Sequence, residues 1–295
     1  MGLPVFNGER YLEPAIRSIL GQTVDDLELV ISDNASTDGT REICRGFASD
    51  PRVRYFRNDK NIGGAANFNR VYELSRGHFF KWHGHDDLLG EQYLERCLAL
   101  LDADPTVAVA SSAIVHIDES GDVLRRQARA DLSIHADNIV DRVAQLITFE
   151  TSDTDIFWCA VFGLIRREAL ARTRLIQPFN AADQVLIFEL LLQGKFAQAD
   201  AELYLHREHG NASMTANQTE HQRLQWFDPA ARKRVILTHW RLLGEHLAAA
   251  RRHKPGVRNE LRISAQIARR FLWKEWRNLP GDLKLGARDL LTRQT

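Results

Sequence analysis

The sequence predicts an α/β fold, a mostly parallel sheet flanked by helices, on three observations. Short apolar runs alternate with amphipathic stretches through the first hundred residues, the pattern of a parallel sheet covered on both faces. Several of those runs end on Asp, Asn, Ser or Gly, the residues of turns and helix starts. Beyond about residue 215 the spacing becomes helical, which predicts a helical C-terminal extension over 216–295.

Residues 3–6 read as a short apolar strand. Leu12, Ile16, Ile19 and Leu20 follow at i, i+4, i+7 and i+8, the stripe of an amphipathic helix. A strand at 27–32, a helix through Phe47, a strand at 53–56 and a helix near 65–74 come next. Another strand starts at Phe79, a helix runs from about 91 to 101, and 107–110 is a further strand. Right-handed crossovers bring the loops after Phe6, Ser32, Phe56 and Trp82 to one rim. Ligands of open α/β sheets bind outside such strand ends.

That rim carries acid. Asp86 and Asp87 follow the Phe79 strand, and Asp33 ends the run Leu27-Glu28-Leu29-Val30-Ile31-Ser32. Two adjacent carboxylates suit a hard divalent cation, Mg²⁺ or Mn²⁺, whose shell is commonly completed by substrate phosphates. They serve equally as N-terminal charges for the helix that follows. Asp33, with Asn34-Ala35-Ser36-Thr37-Asp38-Gly39, reads as a ligand-facing loop or as a turn and helix cap.

The composition narrows the function. With 295 residues, the chain accommodates one large domain or two small ones. Its 39 basic residues balance 39 acidic ones, so it has no electrostatic footprint for nucleic acid. No run of eighteen apolar residues offers a membrane span, and the N-terminus has no signal-peptide pattern. Cys44, Cys97 and Cys159 are widely separated and lack Cys-x-x-Cys spacing, so they are expected as buried, reduced thiols of a cytoplasmic protein.

Four segments, taken in order, carry a resemblance: Pro4-Val5-Phe6-Asn7-Gly8-Glu9-Arg10-Tyr11-Leu12, Asp33-Asn34-Ala35-Ser36-Thr37-Asp38-Gly39-Thr40, Asn61-Ile62-Gly63-Gly64-Ala65-Ala66-Asn67-Phe68-Asn69, and His85-Asp86-Asp87. Together they resemble family 2 glycosyltransferases of GT-A fold. Gly163-Leu164-Ile165-Arg166 and Ala182-Asp183-Gln184-Val185-Leu186 resemble the acceptor half of that family more loosely. The resemblance implies inverting transfer of a sugar from a nucleoside-diphosphate sugar to a hydroxyl acceptor, a glycan or lipid-linked glycan, in cell-envelope or extracellular polysaccharide assembly. It implies a catalytic domain over 1–215, with a nucleotide-binding half at 1–112 and an acceptor half at 113–215.

The same resemblance assigns residues. Pro4, Phe6, Glu9, Asp33, Gly63, Asn67, His85 and Asp86 fall at nucleotide-sugar positions, with Asp33 accepting a base N–H and Gly63 and Gly64 letting backbone approach the nucleotide. Asp87 is the most direct metal ligand, with Asp86 beside it or nearer the ribose. Asp183 becomes the base for the acceptor hydroxyl; without the resemblance it reads as the N-cap of the apolar helix at 185–192. His206, Arg207 and His209, after a strand-like run, suit a metal or diphosphate contact, with His209 as a third metal candidate, or simply a solvated loop. Two departures stand out. The chain begins Met1-Gly2-Leu3-Pro4, which suggests a truncated or misplaced start, and His85 replaces the family's commoner first carboxylate.

Three other classes compete. His83-Gly84-His85-Asp86-Asp87 contains His-x-His-x-Asp, part of the binuclear zinc motif of metallo-β-lactamase-like hydrolases, but Leu88 stands where that motif has a further His. An oxidoreductase would have Gly-x-Gly-x-x-Gly after its first strand, and this chain does not. A nucleotide-sugar-binding module without turnover would retain donor binding alone. Specificity for sugar and acceptor is expected in loops around 114–160 and 174–183.

Between Arg251 and Arg277 nine Lys or Arg residues meet two acids, with Phe271, Trp273 and Trp276 among them. This mixture suits peripheral contact with a membrane. The competing reading is a helix packed on the catalytic domain, favoured by apolar positions that spread widely around it.

Overall fold

A computed structural model describes residues 1–127, 131–149, 160–231, 237–273 and 276–291. Three parallel strands, β1 (Gly2–Val5), β2 (Leu29–Asp33) and β3 (Val53–Arg57), pair in the order β1-β2-β3. Leu29, Val30 and Ile31 of β2 are wholly buried, the continuous apolar run of a strand covered on both faces. Helix α1 (Leu12–Leu20) buries Leu12, Ala15, Ile16 and Ile19, the expected stripe. Its Pro14 lies in the first turn, where no backbone donor is required. Helices α2 (Thr40–Gly46) and α3 (Gly64–Leu74) complete the strand–helix alternation.

A six-stranded mixed sheet continues from there. It comprises β4 (Phe79–Phe80), β5 (Leu88–Leu89), β6 (Val107–Ile117), β7 (Val123–Arg126), β8 (Leu164–Arg166) and β9 (Lys195–Arg207), in the order β4-β8-β6-β9-β5 with β7 on β6. The Gly2 N–H donates to Lys81 O and the His83 N–H to Gly2 O, both at 2.9 Å, stitching β1 to the chain leaving β4. The expected parallel sheet thus holds for β1–β3 and again for β6–β9, while β5 and β8 pair antiparallel with their neighbours. The strand expected at 107–110 runs on to Ile117, because Ser111 and Ser112 break the apolar run without leaving the buried sheet.

Helix α4 (Tyr93–Ala103) precedes β6, and α5 (Ile139–Phe149), α6 (Arg167–Leu170) and α7 (Ala182–Gln193) precede β9. Val185 to Leu192 of α7 are all buried, so this helix is enclosed rather than amphipathic. After β9 come α8 (Ser213–Ala216), α9 (Glu220–Phe227), α10 (Thr238–His253), α11 (Val257–Trp273) and α12 (Asn278–Leu291), the helical extension the spacing predicts. One contiguous core runs from Met1 through Leu3 and Leu29 to Ile263, Ile267 and Phe271, so these helices share the core of the sheet. Among the described residues no helix is long and apolar enough to cross a membrane. Cys44 and Cys97 are buried and free, with burial pushing each thiol up to about 12; Cys159 lies outside the described residues.

Candidate active site

The four loops expected on one rim do share it. Phe6, Asn34, Asn61 and His85 line a cleft of about 570 Å³ at the ends of the strands, together with Asp86, Asp87 and His209. Pairing of β5 with β9 aligns Leu88 with Leu205 and Leu89 with Tyr204, which sets Asp86-Asp87 beside His206-Arg207. Gly84 is what lets both carboxylates converge. A Cβ there would meet Asp87 Oδ2 at 2.6 Å and Asp86 Oδ1 at 2.8 Å.

The two aspartates have different surroundings. Asp87 is 2% exposed, and both its oxygens accept from protein groups: the Tyr204 hydroxyl at 2.5 Å, His206 Nδ1 at 3.0 Å and the Arg207 N–H at 2.9 Å. Burial opposes its ionisation, but His206 and Tyr204 more than compensate and hold the carboxyl well below the usual range. His206 in turn is disfavoured as a cation by burial, yet the Asp87 charge raises its pKa. Asp86 Oδ2, by contrast, meets one side chain among the described residues, His209 Nε2 at 2.9 Å. His209 is no solvated loop residue: its side chain is 4% exposed and its ring packs 4.9 Å from Tyr11. Arg207 lies over the same Tyr11 ring at 4.8 Å and donates from Nε to Asp86 O at 2.9 Å.

A divalent cation fits the Asp86–His209 pair better than Asp87. Two adjacent ligands about 2.1 Å from one octahedral ion lie roughly 3 Å apart, and the 2.9 Å between Asp86 Oδ2 and His209 Nε2 matches that spacing. Among the described residues no group of three or more His, Cys, Asp or Glu side chains is arranged to hold an ion. Two such donors would leave most coordination positions of a divalent cation to other oxygens. The binuclear hydrolase reading fails here. His83 is fully buried with Nε2 3.1 Å from Asp87 O, and it does not line the cleft that His85 and Asp86 line, so it is a core residue.

Asp33, expected to face the base, is committed to the scaffold. Its Oδ1 accepts from the Ser36 N–H at 2.8 Å, and its Oδ2 from the Tyr55 hydroxyl at 2.8 Å and from Arg57. Burial would raise its pKa, but the hydrogen bonds from Ser36, Tyr55 and Arg57 lower it. Glu9 similarly accepts from the Gly39 N–H at 2.6 Å, at the start of α2. Asn67 is 3% exposed; it donates to Ser32 O at 2.9 Å and accepts from Ser32 Oγ at 2.7 Å and from Asn58 at 3.1 Å. Pro4 and Phe6 do line the cleft, with Phe6 45% exposed at its mouth.

Both glycines make room for neighbouring protein, and Gly64 also lines the cleft. Gly63, at φ 90° and ψ 160°, has a backbone that only glycine adopts readily. A Cβ on it would meet Phe227 O and Pro229 Cδ at 2.6 Å, and one on Gly64 would meet the Trp226 ring at 2.8 Å. Helical spacing at 220–227 carried no signal that Trp226 reaches the site. The paired glycines, each needing a close neighbour, were the available clue.

Trp226, with Phe68 and Phe162, lines both the cleft and a second, mostly apolar chamber of about 310 Å³. Asp183 lies in that chamber. It is not the N-cap of α7: that position belongs to Ala181, left-handed at φ 58°, and no side chain caps it. Burial raises the Asp183 pKa, and only backbone N–H groups of its own turn oppose the shift.

Comparison with known proteins agrees with this architecture. The chain is 33% identical over 124 residues to a chondroitin synthase of Escherichia coli, a match covering 41% of this chain and 18% of that protein. It is 24% identical over 217 residues to glycosyltransferase GlyG of Streptococcus pneumoniae serotype 4, covering 72% of this chain and 71% of that one. The chain thus spans under a fifth of one relative's length and most of the other's. Its fold resembles S. aureus TarS 1–349, with TM-score 0.60 and 15% identity over 92% of this chain and 70% of that one. It also resembles the mannosyltransferase PcManGT from Pyrobaculum calidifontis in complex with GDP-Man and Mn²⁺, with TM-score 0.54 and 19% identity over 99% of this chain and 73% of that one. Residues 2–173, more than half of the 295, match the model of glycosyl transferase family 2, and the chain belongs to that family.

Proposed function

We propose that this chain is an inverting glycosyltransferase that moves a sugar from a nucleoside diphosphate to a hydroxyl of a glycan or lipid-linked glycan. The observation that carries this reading is the pair of adjoining chambers, the more polar one with Asp86 and His209, the mostly apolar one with Asp183, both lined by Phe68, Phe162 and Trp226. The donor diphosphate lies in the cleft, where exposed Phe6 offers its ring to the base and exposed Asn61 its side-chain amide, while Asn34 holds the Asn61 loop through its own amide. Asp33, Glu9 and Gly63 act one step back, holding the loops that shape the cleft, and Asn67 lines it from a largely buried position. TarS complexed with UDP-GlcNAc and PcManGT complexed with GDP-Man and Mn²⁺ support a donor of this class.

Asp86 and His209 would hold a divalent cation, Mg²⁺ or Mn²⁺, and Asp87 would orient them by fixing His206 and Arg207. When bound, the ion supplies charge compensation for the departing diphosphate. Asp183 takes the proton of the acceptor hydroxyl, which attacks the anomeric carbon from the face opposite the diphosphate. A carboxylate with a raised pKa is a stronger base, and the apolar walls keep water from competing with the acceptor. Catalysis belongs to residues 1–215, and α9 of the extension closes the site through Trp226. We place the protein in the cytoplasm, in cell-envelope or extracellular polysaccharide assembly.

A panel of nucleoside-diphosphate sugars, assayed for binding and for acceptor-dependent diphosphate release with and without Mn²⁺, tests the reading. One donor should bind tightly and turn over only with the ion and an acceptor. Donor binding without transfer to any hydroxyl would instead identify a binding module.

A further inference from the structure

Helix α11 has two working faces. Ile263, Ile267 and Phe271, spaced i, i+4 and i+8, are 0–2% exposed and join the main core, which resolves the packing of this helix. The opposite face is neither polar nor covered. Leu261, Leu272 and Trp273 are 66%, 62% and 80% exposed, and Trp276 just beyond is 55% exposed. Arg258, Arg262 and Arg269 are exposed on the same side, at i, i+4 and i+11. Arg277, also exposed, lies with its guanidinium 5.2 Å from the Trp276 ring centroid. Glu260, the acid of this helix, is only partly exposed and faces Arg251 at 3.5 Å. Among the described residues from 256 to 277, none of the exposed ones is acidic.

A soluble surface helix normally turns charge of both signs to water. Large apolar side chains interleaved with arginines, with no exposed acid among the described residues, are costly there, and they match an interface that is apolar below and anionic at its surface. We propose that the outer face of α11, with Trp276 and Arg277, is a docking surface for an anionic bilayer. Leu261, Leu272 and Trp273 enter the headgroup boundary while Arg258, Arg262, Arg269 and Arg277 meet lipid phosphates. The inference goes beyond sugar transfer and stands or falls independently of it, because its readout is vesicle binding without donor or acceptor.

Co-sedimentation of the full chain with phosphatidylglycerol-containing vesicles and with pure phosphatidylcholine vesicles tests it. Binding is expected to the anionic vesicles at low salt, to weaken strongly in high salt, and to be slight with neutral ones. Neutralising Arg258, Arg262 and Arg269 together to Gln should lower the partition coefficient about 100-fold, roughly fivefold for each charge. A Leu272→Ser, Trp273→Ser variant should also bind weakly. Both variants alter exposed side chains, so unchanged melting temperatures confirm that lost binding is not lost folding. Equal binding to both vesicle types, or undiminished binding by both variants, overturns the proposal. So does concentration-dependent self-association that the same variants abolish, which would give this face to a second copy of the chain.

Discussion

Asp87 is a buried carboxylate and Asp183 a half-buried one, lining two different chambers, and their surroundings push them in opposite directions. Asp87 accepts from Tyr204, His206 and Arg207 and is held ionised. Asp183 sits in an apolar chamber with only backbone donors of its own turn, and its pKa is raised. Groups whose environments drive their pKa values apart divide acid–base labour between them. On the proposed function, the region around Asp87 would supply the permanent charge that organises a diphosphate site, and the chamber of Asp183 a carboxylate able to take a proton.

The sharpest way to break this comparison is Asp183→Asn. The amide keeps the shape and removes the proton acceptor, so kcat should fall by about 10²–10⁴ while donor affinity is little changed. Calorimetric donor binding beside steady-state turnover separates the two. Near-normal turnover would end the base assignment.

Within the polar region, Asp86 and Asp87 should fail differently. Asp86→Ala removes the partly exposed partner of His209 and should cost about 10²–10³ in rate, with weakened Mn²⁺ binding and a nearly normal melt. Asp87→Asn should instead destabilise the fold by about 3 kcal/mol, because it leaves His206 facing a neutral group in a buried site. Denaturant titration and Mn²⁺ titration of both variants decide it. If Asp87→Asn unfolds like wild type and Asp86→Ala does not, the roles are reversed.

A smaller effect tests the wall between the regions. Gly63→Ala should cost about 1–3 kcal/mol, since its backbone lies where only glycine is comfortable and the new methyl meets Phe227 and Pro229. Chemical denaturation measures it. A loss below a few tenths of a kcal/mol would mean that the 220–229 segment does not press on the glycine.

What the sequence made legible follows from range. Periodicity within ten or twenty residues was enough for α1, β2 and the rim that gathers Phe6, Asn34, Asn61 and His85. Adjacent carboxylates after an apolar strand were enough to find the cleft. The partners of those carboxylates were not readable, because they depend on register: Asp33 reaches Arg57 only because β2 pairs with β3 at Asp33↔Arg57. Asp87 reaches Tyr204, His206 and Arg207 only because β5 docks beside β9 more than a hundred residues later. Trp226 was hidden for the same reason, 162 positions from the Gly64 it covers. The helix-cap reading of Asp183 failed locally, since nothing in the sequence announces that Ala181 adopts the left-handed conformation.

The smallest expected effect concerns stability, and it sharpens the comparison because the two carboxylates should give opposite signs. Burial raises the Asp183 pKa, so the unfolded chain ionises this group more readily than the folded one. At a pH above the raised value the ionised carboxylate therefore costs stability, and the cost vanishes as the pH falls through the ordinary carboxylate range. Asp183→Asn removes that cost and should melt slightly above wild type near pH 7, converging with it in acid. The Asp87 pKa is depressed, so its contribution is fully present at neutral pH and is lost only as the pH falls through its low folded value. Asp87→Asn should accordingly melt below wild type near pH 7, and the gap should narrow in acid. Thermal melts of both variants from about pH 2 to 8 measure the two signs and their convergence in acid. A lower melting temperature for Asp183→Asn at neutral pH would mean that its carboxylate is stabilised like that of Asp87, and the division of labour between the two regions would fall with it.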